Sequence, residues 1–396
     1  MKIALITDTH FGARSDSIPF DKFFEKFYRE KFFPELEKRQ IKTIIHLGDI
    51  FDRRKFINFN TYKSCREYFF DKVEELEIDM HMIPGNHDTY FKNTNEVNSP
   101  ELLLRDYSCV HIYPEVTKLS FDGRDILFTP WICSDNYQQT MEAIDETDAT
   151  VCFGHYELAG FQMYKGHAND HGMDPKIFDK FQLVCSGHFH HRSSNGNITY
   201  LGNPYEITWS DYDDPRGFHI YDTRTNELEF IQNPFNVFHK FYYNDADNSS
   251  GTDIDAIDYS SIANGSVKVV VVQKSDFGRF DAFIDKLESC DLIELKIIED
   301  FSEFEDDAID TDNLNLEDTI TLLDEYIDNI NTDLDRKRLK DVVKGLYVEA
   351  KNLWYTLKNC GGKTFSPLVM PSLRSSLQDL HLLLLWVIMV QESQHS

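Results

Sequence analysis

Five short polar clusters in this sequence carry side chains of the types that hold divalent cations. They are Asp8-Thr9-His10, Gly48-Asp49-Ile50-Phe51-Asp52, Gly85-Asn86-His87-Asp88, Gly154-His155 and Gly187-His188-Phe189-His190. Each follows a run that reads as a buried strand. Polar residues at successive strand ends converge on one edge of an α/β sheet, where such sheets bind ligands. Carboxylate, imidazole and amide donors without a thiolate suit Mn²⁺, Fe²⁺ or Zn²⁺ and not a cysteine-held structural zinc. Singly, each cluster has a plainer explanation: Asp-Thr-His as a turn or helix cap, Gly-Asn-His-Asp as a tight turn, His155 as a core or edge histidine. Order and joint placement favour a metal site, because five unrelated turns would not each set a ligand after an apolar strand. His188 and His190, two apart, share one face of an extended segment.

The elements that must position these clusters alternate strand and helix over the first 225 residues. The patterning predicts strands at 2–7, 43–47, 79–83, 125–129, 149–153, 181–185, 198–201 and 217–221. It predicts helices at 21–40, interrupted near Pro34, and at 60–76. Hairpin-like pairs among the strands predict a mixed sheet and not a purely parallel one. A polar stretch at 244–258 marks a surface loop near a boundary. Beyond it, 267–272 reads as a buried strand, Ser275 as the cap of a helix at 277–287, and 292–298 as a strand. An acidic linker follows. Then Leu316, Ile320, Leu323, Ile327 and Ile330 recur at helical spacing, as do Leu339, Val343, Leu346 and Ala350. Two such short helices cannot bury their own apolar faces, which predicts that they dock on something else.

A chain of 396 residues, 41% hydrophobic, has room for two domains and a further small unit. Its longest apolar run, 382–390, is far below the roughly 18 residues a membrane span needs, so spanning and secretion are not expected. Seven cysteines without a Cys-x-x-Cys pair indicate neither a disulfide framework nor a thiolate zinc site, and fit a reducing cytoplasm. The net charge of −28 opposes nucleic-acid binding by bulk attraction. However, 301–335 holds thirteen acids and no base, so much of that charge lies away from the clusters. Arg14, Arg53, Arg54 and Lys55 follow the cluster strands and can meet phosphates there; a solvated charge run is the competing explanation. Lys165, His167 and His171 are candidates for the cleft lining and are not assigned as ligands.

The order Asp-x-His, Gly-Asp-x-x-Asp, Gly-Asn-His-Asp, Gly-His, Gly-His-x-His resembles the calcineurin-like metallophosphoesterase superfamily. Gly48 to Asp52, Gly154-His155-Tyr156-Glu157-Leu158 and Asp214-Pro215-Arg216-Gly217-Phe218 resemble, within it, the SbcD-type nuclease subunits of double-strand-break repair, those of T-even-like phages most of all. The likeness runs from Met1 to about Ala350. It implies a mixed-sheet αββα sandwich over 1–232, a small α/β capping, DNA-binding domain at 233–299, an acidic linker at 300–313 and a helical segment at 314–350 that docks an SbcC-type ATPase. It also implies two Mn²⁺ ions, with Mg²⁺, Fe²⁺ or Zn²⁺ as substitutes. One would take Asp8, His10, Asp49 and His190, the other Asp49, Asn86, His155 and His188, with Asp49 bridging. Cations about 3.5–4 Å apart need such a shared anion, and together they clamp both oxygens of an in-line displacement. His87 would stabilise the developing charge and protonate the departing oxygen, and Asp88 would orient its ring. Asp88 and Asp52 are equally well read as supporting or turn residues. The implied function is hydrolysis of DNA phosphodiesters at ends, by double-strand exonuclease and single-strand endonuclease action. The protein would work as a homodimer within a heterotetramer with its ATPase, in the cytoplasm of a bacterial host if phage-encoded, and the 60–76 helix is one possible dimer contact. The alternative keeps the metals and acts on a small phosphoester or phosphoprotein.

Residues 351–396 depart from this pattern and read as an out-of-frame or non-native tail. Taking each codon from the third base of one codon and the first two of the next, Trp386-Val387 and Met389-Val390 must each encode glycine. With the residues that follow, the shifted frame permits Gly-x-x-Gly-x-Gly-Lys-Ser-Thr, a phosphate-binding loop of an ATPase.

Overall fold

The computed structural model describes residues 1–245, 252–298 and 340. Contacts divide the chain into two compact units, Met1–Asn313 and Leu314–Ser396. The acidic linker, the helical segment and the 351–396 tail lie outside the described residues, Lys340 excepted.

Two six-stranded sheets lie face to face. The first holds β1 (Lys2–Ile6), β2 (Thr43–His46), β3 (Asp79–Met82) and β4 (Val110–Ile112); the second holds β5 (Thr117–Phe121), β6 (Arg124–Thr129) and β7 (Val151–His155). A short hairpin, β8 (Gln162–Tyr164) and β9 (His167–Ala168), stands apart. β10 (Leu183–Gly187), β11 (Ser193–Asn195) and β12 (Ile198–Tyr200) complete the second sheet, and β13 (Gly217–Asp222) and β14 (Glu227–Gln232) complete the first. The orders are β14-β13-β1-β2-β3-β4 and β11-β12-β10-β7-β6-β5. β1 to β4 run parallel, with β13 and β14 antiparallel at one edge, so the sheet is mixed, as the hairpin signals predict.

Alternation along β1 sets the layers. Ile3 and Leu5 enter the core between the sheets with Ile45, Phe128, Phe153 and Cys185. Ala4 and Ile6 face the helices and an aromatic core of Phe24, Phe27, Tyr28, Phe32, Phe69 and Phe70. On the far side of the second sheet Leu127, Cys152 and Val184 pack with Ile144 of the helix Tyr137–Glu146. The result is an αββα sandwich.

Both predicted helices form, each broken by a π-helical turn. Ile18–Phe27 passes through Tyr28–Phe32 into Phe33–Arg39, and Phe59–Cys65 through Arg66–Phe70 into Asp71–Glu75. The first break precedes Pro34, whose ring and missing N–H disturb the turn before it. The strands predicted at 149–153 and 181–185 sit two residues further on, because Ser186 and Gly187 pair with Gly154 and His155 and carry the sheet into the polar clusters.

A small unit of β15 (Phe238–Asn244), β16 (Ser266–Gln273) and β17 (Glu294–Ile298), all parallel, packs under the helix Phe277–Glu288. The predicted cap of that helix is corrected from Ser275 to Asp276, whose carboxylate accepts from the Arg279 amide at 3.0 Å. Phe238 rests 4.6 Å from Trp209, and Glu206 accepts the Val237 and Phe238 amides at 2.6 and 2.9 Å, which ties this unit to the sandwich.

Candidate metal centre

The clusters at the carboxyl ends of β1, β2, β3, β7 and β10 meet at one edge of the paired sheets. Loops cross-link at once: the Asp8 amide donates to the Gly48 carbonyl at 3.0 Å, and the His10 amide to the Asp49 carbonyl at 3.1 Å. The second sheet is fastened to the first by His155, whose Nδ1 meets the Leu47 carbonyl at 2.7 Å, and by the His188 amide, which donates to the Asp8 carboxylate at 3.1 Å. Asp8, His10, Asp49 and His188 all take positive φ, a conformation non-glycine residues adopt when surroundings over-determine it. Gly48, at φ +96, could not be otherwise: a Cβ there would lie 2.7 Å from both Gly85 Cα and His155 Nδ1.

Two groups of ligand atoms result, Asp8, His10 and His190 in one and Asp49, His155 and His188 in the other, each spanning no more than 4.8 Å. His10 Nε2 and His190 Nε2 face each other at 3.1 Å. Asn86 Oδ1 lies 3.0 Å from His155 Nε2 and 2.9 Å from His188 Nδ1. Asp49 Oδ2 stands 3.3 Å from His155 Nε2 and 3.8 Å from His10 Nε2, so it reaches both groups.

Burial and the neighbouring imidazoles push His10 well below its ordinary range; burial drives His188 to about 3 and His190 to about 4. These rings are therefore neutral at physiological pH, the form that binds a metal ion. Burial opposes the charge of His155, but Asp49 outweighs it and lifts the ring to about 9. Burial likewise opposes ionisation of Asp49, yet the His155 and His87 rings hold it well below the usual carboxylate range. Asp8 is pushed up to about 7 by burial, despite His155. Buried carboxylates and imidazoles whose donor atoms lie within 4.8 Å of one another in each group are a donor set that fits divalent cations.

His87 is half-buried. Its Nδ1 donates to the Asp52 carbonyl at 2.7 Å, and its amide donates to Asp49 Oδ1 at 2.7 Å. Of the two roles expected for Asp88, orienting this ring or supporting the turns, its surroundings favour support: Asp88 is fully buried and its oxygens accept from the Ile50, Phe51 and Gly85 amides at 3.0, 3.3 and 2.9 Å. It braces two loops. Asp52 lies with its carboxylate 3.7 Å from His10 Nδ1.

The expected DNA-binding cations are partly engaged within the protein. Arg53 pairs with Asp16 at 2.7 Å, Arg54 donates to the Asn86 carbonyl at 2.6 Å, Arg14 lies over Phe20, and Lys55 is exposed. Lys165 is held by Asp213 at 3.0 Å and His171 is exposed; His167 falls on β9.

Two residues at the site carry no sequence signal of the cluster type. His46, buried at the end of β2, meets Thr9 Oγ1 at 3.1 Å and the Gly48 amide at 3.2 Å, and so braces the turn between Asp8 and His10. Trp131 follows β6, and its ring centroid lies 5.2 Å from His188 and 6.0 Å from His155. Its signal was position, since it too comes just after a strand that ends at this edge.

Residues 1–192 match the calcineurin-like phosphoesterase family. Exonuclease subunit 1 of Enterobacteria phage T4 is 35% identical over 356 residues, a match that takes in 88% of this chain and 99% of that protein. The SbcD member of the SbcCD nuclease of Staphylococcus epidermidis is 22% identical over 235 residues, 52% of this chain and 61% of that protein. With those clusters at the strand ends of an αββα sandwich, and a relative matched over its whole length, this chain belongs to the calcineurin-like phosphoesterase family.

Proposed function

We propose that this protein is a DNA nuclease, hydrolysing phosphodiesters at DNA ends as a double-strand exonuclease and on single strands as an endonuclease. The observation that carries this reading is the pair of facing ligand groups with Asp49 in reach of both, in a chain so similar to a phage exonuclease subunit. Asp8, His10, Asp49 and His190 would hold one divalent cation, and Asp49, Asn86, His155 and His188 the other. Bound cations of this kind polarise the phosphate and make water acidic enough to attack near neutral pH.

The protein's own groups do the rest. Positive-φ turns and the cross-loop hydrogen bonds preset the ligands, so little reorganisation accompanies metal or substrate binding. The Asp52 carbonyl fixes the tautomer of His87, and a proton on His87 Nε2 would pass to the departing sugar oxygen. Arg54, bonded to the Asn86 carbonyl, steadies the peptide that carries both Asn86 and His87. Mn²⁺ is the expected metal. We assign an SbcC-type ATPase as partner, docked through 314–350, and a homodimeric nuclease within that assembly. Six described cysteines, all free, suit a reducing cytoplasm.

The test is hydrolysis of end-labelled duplex DNA by the purified protein in Mn²⁺, Mg²⁺ or EDTA. Shortening from an end that EDTA abolishes supports the nuclease. Inertness toward every DNA, with and without the ATPase, beside fast turnover of a small chromogenic phosphodiester would replace it with the small-substrate enzyme.

A further inference from the structure

A half-buried tryptophan at a metal-ligand edge needs a reason. Indole offers one N–H donor and no acceptor, so Trp131 cannot ligate a cation. Among the described residues it joins none of the four apolar cores. Its aromatic neighbours are instead the imidazoles of His188, tilted at 43°, and His155, edge-on at 72°.

The backbone beneath it is fixed from both sides. Its amide donates to the Pro84 carbonyl at 2.9 Å, and its carbonyl accepts from Asn95 Nδ2 at 2.8 Å and Asn136 Nδ2 at 3.0 Å. The loop that supplies Asn95 is fastened further by Asp135, whose amide donates to the Asn93 carbonyl at 3.1 Å and whose carboxylate accepts from Thr94 at 3.0 Å. The same loop, which starts just after Asp88, carries Tyr90 and Phe91, 43% and 46% exposed. An aromatic plane held rigid beside the site, with more aromatic surface on the adjoining loop, is what an unpaired nucleobase stacks on.

Resting on the nuclease reading above, we infer that Trp131 is the stacking platform for the base of the nucleotide whose phosphate lies at the Asp49, His155 and His188 group. It sets which strand conformation is cleaved: a base must leave its pair to reach the indole, so frayed ends and single strands are preferred. It is a substrate-positioning residue and holds no proton in the reaction.

The experiment compares the full chain in Mn²⁺ on two oligonucleotides, one intact and one with an abasic residue at the cleaved position. Wild type should cleave the intact strand about 5- to 100-fold more efficiently in kcat/KM, mostly through KM. Trp131→Leu, which keeps apolar bulk against the imidazoles but no stacking plane, should bring that ratio close to one; Trp131→Phe should keep most of it. Two bound metal ions per chain in each variant check that the site has formed. A wild-type ratio in Trp131→Leu, or a wild type indifferent to the missing base, overturns the inference. A wild type inert on both DNAs but active on a small phosphodiester overturns the nuclease reading, and this with it.

Discussion

At the scale of single residues, the proposed roles separate metal holding from proton delivery. His87 lies outside both ligand groups, with its Nδ1 on a backbone carbonyl and its amide on Asp49 Oδ1. His87→Ala should therefore cut DNA hydrolysis by about 10²- to 10⁴-fold while two Mn²⁺ ions still bind, as measured by metal analysis beside single-turnover cleavage. Loss of metal together with activity would make His87 a ligand instead. Asp88 makes the opposite prediction. Because its carboxylate gathers three amides from two loops, Asp88→Ala should leave buried donors without an acceptor and lower stability by several kcal/mol, of order 1–3 per donor, in urea unfolding. A fully stable but inactive Asp88→Ala would restore it to the chemistry.

At the scale of elements, turns matter as much as strands. Gly48→Ala would put a Cβ at φ +96 against Gly85 and His155, so it should cost about 1–3 kcal/mol and weaken Mn²⁺ binding; an unchanged unfolding midpoint would contradict that. The junction to the small unit makes a prediction in pH. Burial raises Glu206 to about 7, although it accepts two amides there. The folded state thus binds this proton more tightly than the unfolded chain, near 4.5, so the stability it contributes is full below about pH 4.5 and lost as pH rises through 7. Thermal unfolding should show Glu206→Gln losing less stability than wild type between pH 5 and 8. The strands that carry the ligands were legible because apolar runs end in polar clusters. β11, β14 and β15 were not, since Ser193–Asn195 is short and polar, and Glu227–Gln232 and Phe238–Asn244 mix charge with aromatics at a sheet edge. The clusters named the ligand atoms, but the partners of Asp88, Arg53 and Arg54 depend on which loops the fold brings together, and no local pattern encodes that. Trp131 escaped because one aromatic residue after a strand has no motif.

At the scale of the whole molecule, a relative matched over 99% of its length uses 88% of this chain. If residues 351–396 are a tail read from another frame, a chain ending at Ala350 should keep metal content and DNA cleavage within about twofold of the full chain; loss of either would give the tail a role. The coding sequence checks the same point, through a lysine codon across Glu392-Ser393 in the shifted frame. No described helix is long and apolar enough to cross a membrane. In the proposed function, two cations sharing Asp49 make this phosphoesterase a nuclease. Its most direct test titrates Mn²⁺ into the protein, following bound metal per chain and cleavage of end-labelled DNA in the same samples, with Asp49→Asn alongside. Two ions per chain are expected, with cleavage that rises with occupancy of the second, and loss of both in Asp49→Asn. Cleavage that persists in EDTA, or that saturates with a single ion bound, would contradict it.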